Sequence, residues 1–388
     1  MLDFRFGIED WLEFDHPTRH LYICVVFLHQ AVQKTPVMAG DDQISNLSGR
    51  EMALVHHHQA CAARLLSEGI NAATTARPDQ RLLRNIHMFL SSNVQQGAYT
   101  PWRSHLNGAH GLLALWGPKA CLGEGDFVYF SLMMTNLFGT TTTPSHLIDC
   151  NVVSQHRFYL DIIDELKIDF MSSLTPVPRT LVKAVAEINL LRAAAHSGHS
   201  STQSPRLAEI LSSLNLFTFA GWVPDTTSQH DALFQISGTP VQGDTRSRSW
   251  EMLVDSFRQA TDLYLIISMS DIHSDNTSCW FEIRNTAYHA LRYAIDWMFE
   301  AKLTGGTHHK FITWPMVIAG VEAVYLGDNE HLQSLQSRLL GVSRDLGTLA
   351  MRDAAVFLAD LWDKSRRQGP NSHLSWDKIF SRSPLFLM

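Results

Sequence analysis

The stretch WRSHLNGAHGLLALW, residues 102–116, decides the fold class of this chain. At about 100° per residue its apolar positions fall in a band roughly 120° wide, which is typical of an amphipathic α-helix. The stripe comprises Trp102, His105, Leu106, Ala109, Leu112, Leu113 and Trp116. Thr100 and Pro101 precede it as N-cap and first helical residue. We therefore predict a helix that buries an aromatic and aliphatic face.

The same period recurs along most of the chain, whereas strict apolar–polar alternation does not. A capping-box spacing at Ser48–Glu51 opens one helix, and Gly69 is expected to stop it. Helices are predicted over 52–68, 81–96, 127–138, 156–174, 180–195, 250–264, 281–299, 314–326, 328–340 and 351–364. The prediction is an all-α protein, a large irregular helical bundle of about a dozen helices in two halves.

Two segments divide the chain. Residues 196–204 are polar and rich in serine, and residues 223–248 carry Pro, Gly, Asp and Thr without periodicity. We expect a partly helical N-terminal segment (1–50), a first helical half (51–195), a linker region with a short helix (196–248) and a second half (249–388). The two halves are predicted to form one continuous domain.

Composition excludes several classes of protein. Of 388 residues, 45% are hydrophobic and 18% charged, which suffices for a large core. Lys plus Arg number 31 against 38 Asp plus Glu, a net charge of −7, whereas autonomous duplex binding requires a basic face. The acidic, aromatic N-terminus does not look like a secretory signal, and the longest apolar run is 21–28. We expect a nuclear or cytoplasmic protein without a membrane span.

Cysteine and histidine spacing gives no metal site. The five cysteines, at positions 24, 61, 121, 150 and 279, form no Cys-x-x-Cys pair and are expected to be reduced core residues. Potential metal ligands occur at 56–58, 308–309 and 271–275. Three consecutive helical histidines point about 100° apart and cannot all face one ion. The prediction is no metal and no cofactor.

Three motifs in order resemble the regulatory middle-homology domain of fungal zinc-cluster transcription factors, from about residue 50 to 365. Residues 102–109 are similar to its Trp-x-x-His-Leu-x-Gly-Ala helix, and 185–191 to its Glu-Ile-Asn-x-Leu segment. Residues 313–323 are similar to its Trp-Pro-x-x-Ile-Ala-Gly-x-Glu-Ala helix, and Leu358 and Trp362 supply a final Leu-x-x-x-Trp. The six-cysteine cluster with which the family reads DNA does not occur in these 388 residues.

The resemblance implies a helical body for regulation, ligand response and partner contact, and it identifies no catalytic residue. The first hypothesis is a regulator-like protein of a fungal secondary-metabolite gene cluster that acts without its own DNA-binding cluster. The alternative is a recruited biosynthetic enzyme, a cofactor-free isomerase or cyclase of the pericyclase type acting on an apolar terpenoid or polyketide. Such an enzyme needs shape and a few hydrogen-bond donors rather than a motif. The expected partners are an apolar small molecule, proteins of the transcription machinery and a second copy of the chain.

Several polar residues could serve either a functional or a structural role. Asp161, Asp164 and Glu165 superficially resemble diphosphate-binding carboxylates but are interpreted as solvated helix charge. Glu322 lies in an apolar run, so an internal ion pair or hydrogen bond is expected there. His105 is expected to be a satisfied core histidine. If a ligand binds, we predict a cavity between the halves, lined by Trp102, His105, Tyr264, Trp314 and Glu322.

Overall fold

Helical periodicity in the sequence is matched by helical structure. The computed structural model describes residues 8–34, 49–73, 79–97, 102–117, 126–166, 177–198, 203–218, 243–270, 277–300, 309, 311–368 and 374–381. Within these ranges every regular element is a helix and none is a strand. The predicted all-α class is confirmed.

Nine α-helices and a short 3₁₀-helix form the first part of the chain. They are α1 (Ile8–Glu13), α2 (His16–Lys34), α3 (Gly49–Ala72), α4 (Gln80–Gln95), α5 (Trp102–Trp116), α6 (Asp126–Thr141), the 3₁₀-helix Ser145–Leu147, α7 (Cys150–Ile162), α8 (Arg179–His196) and α9 (Gln203–Leu216). Six more follow: α10 (Gly243–Ser268), α11 (Thr277–Glu300), α12 (Thr313–Leu326), α13 (Asn329–Leu346), α14 (Leu349–Gln368) and α15 (Trp376–Ile379).

Capping residues explain several helix boundaries. The Asp79 carboxylate accepts a hydrogen bond from the Leu82 amide at 3.0 Å and starts α4. Asp328 likewise accepts from the His331 amide at 3.1 Å, as predicted for the start of α13. Gly327 ends α12 at φ 69°, in the left-handed region that glycine adopts without a Cβ clash. Local sequence therefore determines where these helices begin and end.

Helix α12 lies at the centre of the second half. Every residue from Thr313 to Val324 is buried, because α10, α11, α13 and α14 all pack against it. A Cβ at Gly320 would lie 2.6 Å from the Leu358 side chain, so glycine permits the close approach of α14. Buried apolar side chains from both halves form one continuous cluster.

Several predicted helix boundaries were wrong, three of them for a physical reason that the structure shows. Helix α7 begins at Cys150 and ends at Ile162, whereas the predicted helix spans 156–174, because Asp149 caps it earlier and turns follow at 163–165. Residues 167–174 of the predicted helix lie outside the described residues. Helix α3 continues past Gly69 to Ala72, since packing on α2 offsets the cost of an interior glycine. Helix α10 begins at Gly243, inside the predicted linker.

Burial departs from the predictions at two further points. The helical period places Gln259 and Asp262 on the polar face of the predicted helix 250–264, but both are buried, because neighbouring helices cover more than one side of α10. Cys150 is exposed at the start of α7 rather than in the core, whereas Cys24 is buried. Across the part of the chain that the structure describes, no helix is long and apolar enough to cross a membrane.

Candidate functional site

A buried polar junction lies where the two halves meet beneath α15. We define it by Thr140–Thr143, Asn189, Arg192, Tyr264, Trp314, Trp376 and Asp377, which come from α6, α8, α10, α12 and α15 and the turn after α6. Eight hydrogen bonds connect these residues across five helices and the turn after α6. It is therefore the candidate functional site.

Arg192 is the centre of the junction. Its Nη1 donates to the Thr140 and Thr141 carbonyls at 3.2 Å each, and its Nη2 donates to the Thr143 carbonyl at 2.7 Å. These carbonyls belong to the end of α6 and the turn after it, where the helix dipole is negative. The Thr140 carbonyl also accepts from the Thr143 amide at 3.0 Å. A planar guanidinium with five donors suits such a set of acceptors. Arg192 thereby joins α8 to the end of α6.

Neutral groups complete the network on one side of Arg192. The Tyr264 hydroxyl accepts from Arg192 Nη1 at 2.9 Å and donates to Asn189 Oδ1 at 2.5 Å. Asn189 Nδ2 donates to the Leu137 carbonyl at 3.0 Å and lies 3.1 Å from His156 Nε2. Burial lowers the pKa of His156 to about 3 and raises the pKa of Tyr264. Both side chains are therefore uncharged at neutral pH.

Two tryptophans donate hydrogen bonds to Thr141, within the Thr140–Thr143 run. Trp314 Nε1 donates to Thr141 Oγ1 at 3.0 Å, and Trp376 Nε1 donates to the Thr141 carbonyl at 2.7 Å. The Tyr264 ring lies 5.2 Å from the Trp376 ring and 6.1 Å from the Trp314 ring. Each indole thus satisfies its N–H while burying its apolar surface.

Asp377 closes the junction toward solvent. Its Oδ1 accepts from the Ser145 amide and hydroxyl at 3.0 Å each, and from Arg192 Nη2 at 3.1 Å. The Asp377 side chain is 36% exposed, whereas the Arg192 side chain is 1% exposed. The ion pair therefore has a buried cation and an accessible anion.

The structure brings two of the five predicted ligand-lining residues together, Tyr264 and Trp314. Trp102 packs against Gly139 of α6, and Arg103 stacks over its ring at 4.4 Å. Arg103 Nη2 donates to Thr143 Oγ1 at 2.8 Å, so this helix touches the edge of the junction. The ligand role of these residues stays a prediction.

The remaining two predicted residues have other partners. Glu322, 1% exposed, accepts two hydrogen bonds at 2.7 Å from the Nε and Nη2 of Arg284 on α11. This confirms the expected internal ion pair. The half-buried His105 ring packs edge-on against Phe89 with 4.9 Å between ring centroids, and burial lowers its pKa.

Sequence reasoning missed Arg192 and Asp377, and it noted Asn189 only as part of a motif. A signal for Arg192 was present, because it follows Leu190 and Leu191 and precedes three alanines. An arginine in such an apolar helix segment is rarely buried without acceptors. No local pattern identifies Asp377, because its partners lie 185 and 232 positions away in sequence.

A separate cavity of about 470 Å³ lies on the surface between α9, α10 and α11, away from the five predicted residues. Its lining consists of Asn215, Phe217, Arg248, Glu251, Met252, Val254, Asp255, Arg258, Ala290 and Tyr293. Its two arginines already pair with carboxylates of α10, Arg248 with Glu251 at 2.7 Å and Arg258 with Asp255 at 3.2 Å. The charges at this cavity are thus largely compensated.

The histidines that are clustered in the sequence contact different partners in the structure. His58 Nδ1 lies 2.7 Å from His20 Nδ1 on α2, while His57 contacts Cys61 and His56 is exposed. His309 stacks on Phe299, and residues 271–275 and His308 lie outside the described residues. Within the described ranges no group of three or more His, Cys, Asp or Glu side chains could hold a metal ion.

The acidic run at the end of α7 is exposed, as interpreted. Asp161, Asp164 and Glu165 face solvent, and Asp164 pairs with Lys183 at 2.6 Å. Ile162 and Ile163 between them are buried. These carboxylates therefore do not face the core.

Comparison with known proteins gives the family. The fungal specific transcription factor domain matches residues 17–388. The chain belongs to this family. A similar protein is the phomenoic acid biosynthesis cluster-specific transcriptional regulator of Leptosphaeria maculans, 25% identical over 344 residues that cover 85% of this chain. The match covers 59% of that relative, so the chain spans about three-fifths of its length. No solved structure matches.

Proposed function

We propose that this protein is a transcriptional regulator of a fungal secondary-metabolite gene cluster, working through its helical regulatory domain in the nucleus. The observation that carries the proposal is the family match over 17–388, together with a relative named as a biosynthesis cluster-specific regulator. The protein partners would be components of the transcription machinery. A second copy of the chain is a further partner to be tested.

The buried junction supports a regulatory role for the helical body. It ties α6 and α8 of the first half to α10, α12 and α15 of the second through charged and polar contacts. Such contacts are directional, so they fix one arrangement of the halves more strictly than apolar packing does. A change at the junction would therefore be transmitted to both halves.

Deletion of the gene tests the proposal. Loss of a cluster regulator should silence several neighbouring biosynthetic transcripts together, measured by RNA sequencing, and re-introduction of the gene should restore them. Loss of a pathway enzyme would instead leave those transcripts intact and accumulate one precursor. The second result would contradict the proposal and favour the isomerase or cyclase.

DNA binding by these 388 residues gives a second test. With a net charge of −7 and no cysteine pair, the purified chain should bind duplex DNA only non-specifically, with affinity that falls steeply with salt. A gel-shift titration on promoters of the cluster, repeated at two salt concentrations, measures this. A sequence-specific shift that resists salt would contradict it.

A further inference from the structure

The C-terminal segment 374–381 occupies the junction as a short insert. Four of its eight residues are buried, namely Leu374, Trp376, Ile379 and Phe380. Its helix α15 has only four residues and is too short to be stable by itself. The position of this segment therefore depends on the side chains that it places in the body of the protein.

Those side chains enter two adjoining subsites that the body provides. The indole of Trp376 lies against Tyr264, and the Thr141 carbonyl accepts its N–H. The carboxylate of Asp377 accepts hydrogen bonds from Ser145 and Arg192. The donors and acceptors of both subsites belong to α6, α8, α10 and the 3₁₀-helix, and not to α15.

The subsite that holds the Asp377 carboxylate, here called the anion subsite, is formed by Arg192 and Ser145. Arg192 is 1% exposed, and its Nε atom is buried without a hydrogen-bond partner. Three hydrogen bonds converge on Asp377 Oδ1, while the Asp377 side chain keeps about a third of its surface in solvent. The carboxylate is thus the accessible member of the pair, and a charge-assisted hydrogen bond to a buried guanidinium is a strong contact for any anion that takes its place.

We propose that the Trp376–Asp377 subsites also bind a small aromatic carboxylic acid, which displaces segment 374–381. The ring replaces the Trp376 indole against Tyr264, and the carboxylate replaces that of Asp377 at Arg192 and Ser145. Ligand and segment compete for the same groups, so binding frees the C-terminal segment. The aromatic acid would act as a small-molecule effector of the proposed regulator, so the proposal rests on that function. Binding is nevertheless measured on the purified protein, without transcription.

The test uses the full chain and indole-3-acetate, which carries an indole and a carboxylate as Trp376 and Asp377 do. Indole-3-acetamide is the matched ligand without charge. Titration calorimetry compares the wild type with Asp377→Asn, and with Lys378→Ala as the control at an exposed neighbour. Because Asp377→Asn weakens the internal competitor, it should bind indole-3-acetate about fivefold more tightly than the wild type. Lys378→Ala should bind like the wild type.

Hydrogen–deuterium exchange of the wild type gives a readout that does not depend on the folding of any variant. Near-saturating indole-3-acetate should increase exchange in 374–381, and the acetamide at the same concentration should not. Equal affinity of all three proteins for indole-3-acetate would overturn the proposal. Unchanged exchange in 374–381 would overturn it as well, and would make the segment a fixed part of the core.

Discussion

Two buried ion pairs in this protein are arranged in opposite ways. In the Glu322–Arg284 pair the carboxylate is 1% exposed and the guanidinium 19%. In the Arg192–Asp377 pair the guanidinium is 1% exposed and the carboxylate 36%. Glu322 receives two hydrogen bonds from one arginine, whereas Arg192 has three carbonyls and a hydroxyl besides Asp377.

This difference shows which member of each pair the fold depends on. Removing one partner of a buried ion pair is costly when it leaves the other charge buried and uncompensated. Arg284 donates two hydrogen bonds to the buried Glu322 carboxylate, whereas Arg192 keeps most of its acceptors if Asp377 is lost. The outer residue should therefore matter greatly in the first pair and little in the second.

The largest effect is expected for Arg192→Met. Methionine retains much of the volume, but the Thr140, Thr141 and Thr143 carbonyls each lose a hydrogen bond from the guanidinium, and Asp377 loses its cation. The free energy of unfolding should fall by about 3–5 kcal/mol. Urea denaturation followed by circular dichroism measures it. A loss below about 1 kcal/mol would show that the junction contributes little to stability.

Arg284→Met should have the next largest effect. It removes the guanidinium that donates two hydrogen bonds to the buried Glu322 carboxylate, at an expected cost of about 3 kcal/mol. Glu322→Gln should cost only about 1 kcal/mol, because Arg284 can reach solvent. Urea denaturation of the two variants measures both losses. Equal losses for Arg284→Met and Glu322→Gln would contradict the expectation that removing the partner of the more buried charge costs more stability.

Asp262→Asn tests a buried carboxylate that is poorly paired. Arg258 Nη1 lies 3.8 Å from Asp262 Oδ2, and Oδ1 has no partner. Burial raises the pKa of Asp262 to about 6 from its ordinary value of 3.8. The folded protein therefore holds this proton more tightly than the unfolded chain. The resulting stability is present below about pH 4 and is lost as the pH rises through about 6.

At pH 7 this pKa difference corresponds to about 3 kcal/mol of destabilisation. The buried asparagine amide retains part of the desolvation cost, so Asp262→Asn should stabilise the protein by about 2 kcal/mol at pH 7. At pH 4 the gain should vanish. Thermal melts at the two pH values measure this, and a variant less stable than the wild type at pH 7 would show that the Arg258 contact outweighs desolvation.

The smallest effect is expected for Asp377→Asn. Arg192 keeps its carbonyl acceptors, and the asparagine oxygen can still accept from Ser145, so the loss should be about 1 kcal/mol. Lys378→Ala, on the exposed side of α15, should change stability by less than about 0.5 kcal/mol. A loss for Asp377→Asn as large as that for Arg192→Met would remove the contrast between the two ion pairs.

Prediction from sequence succeeded where the interaction is local. The apolar stripe of 102–116 placed α5, and the predicted helices 314–326 and 328–340 gave the boundary between α12 and α13. An acid within an apolar helix run correctly indicated an internal partner for Glu322, although it could not select Arg284 from the arginines of the chain. Prediction failed at the end of α7 and the start of α10, where tertiary packing and turns override local propensity.

The sequence by itself determined the helical class, most helix positions and the family, because helix period and short motifs depend on residues within a few turns of one another. The tertiary structure decided which polar residues meet. Tyr264 and Asp377 lie 72 and 185 positions after Arg192 in the sequence, yet the three residues form one network. Their pairing depends on how α6, α8, α10 and α15 cross, and side-chain period does not encode that crossing.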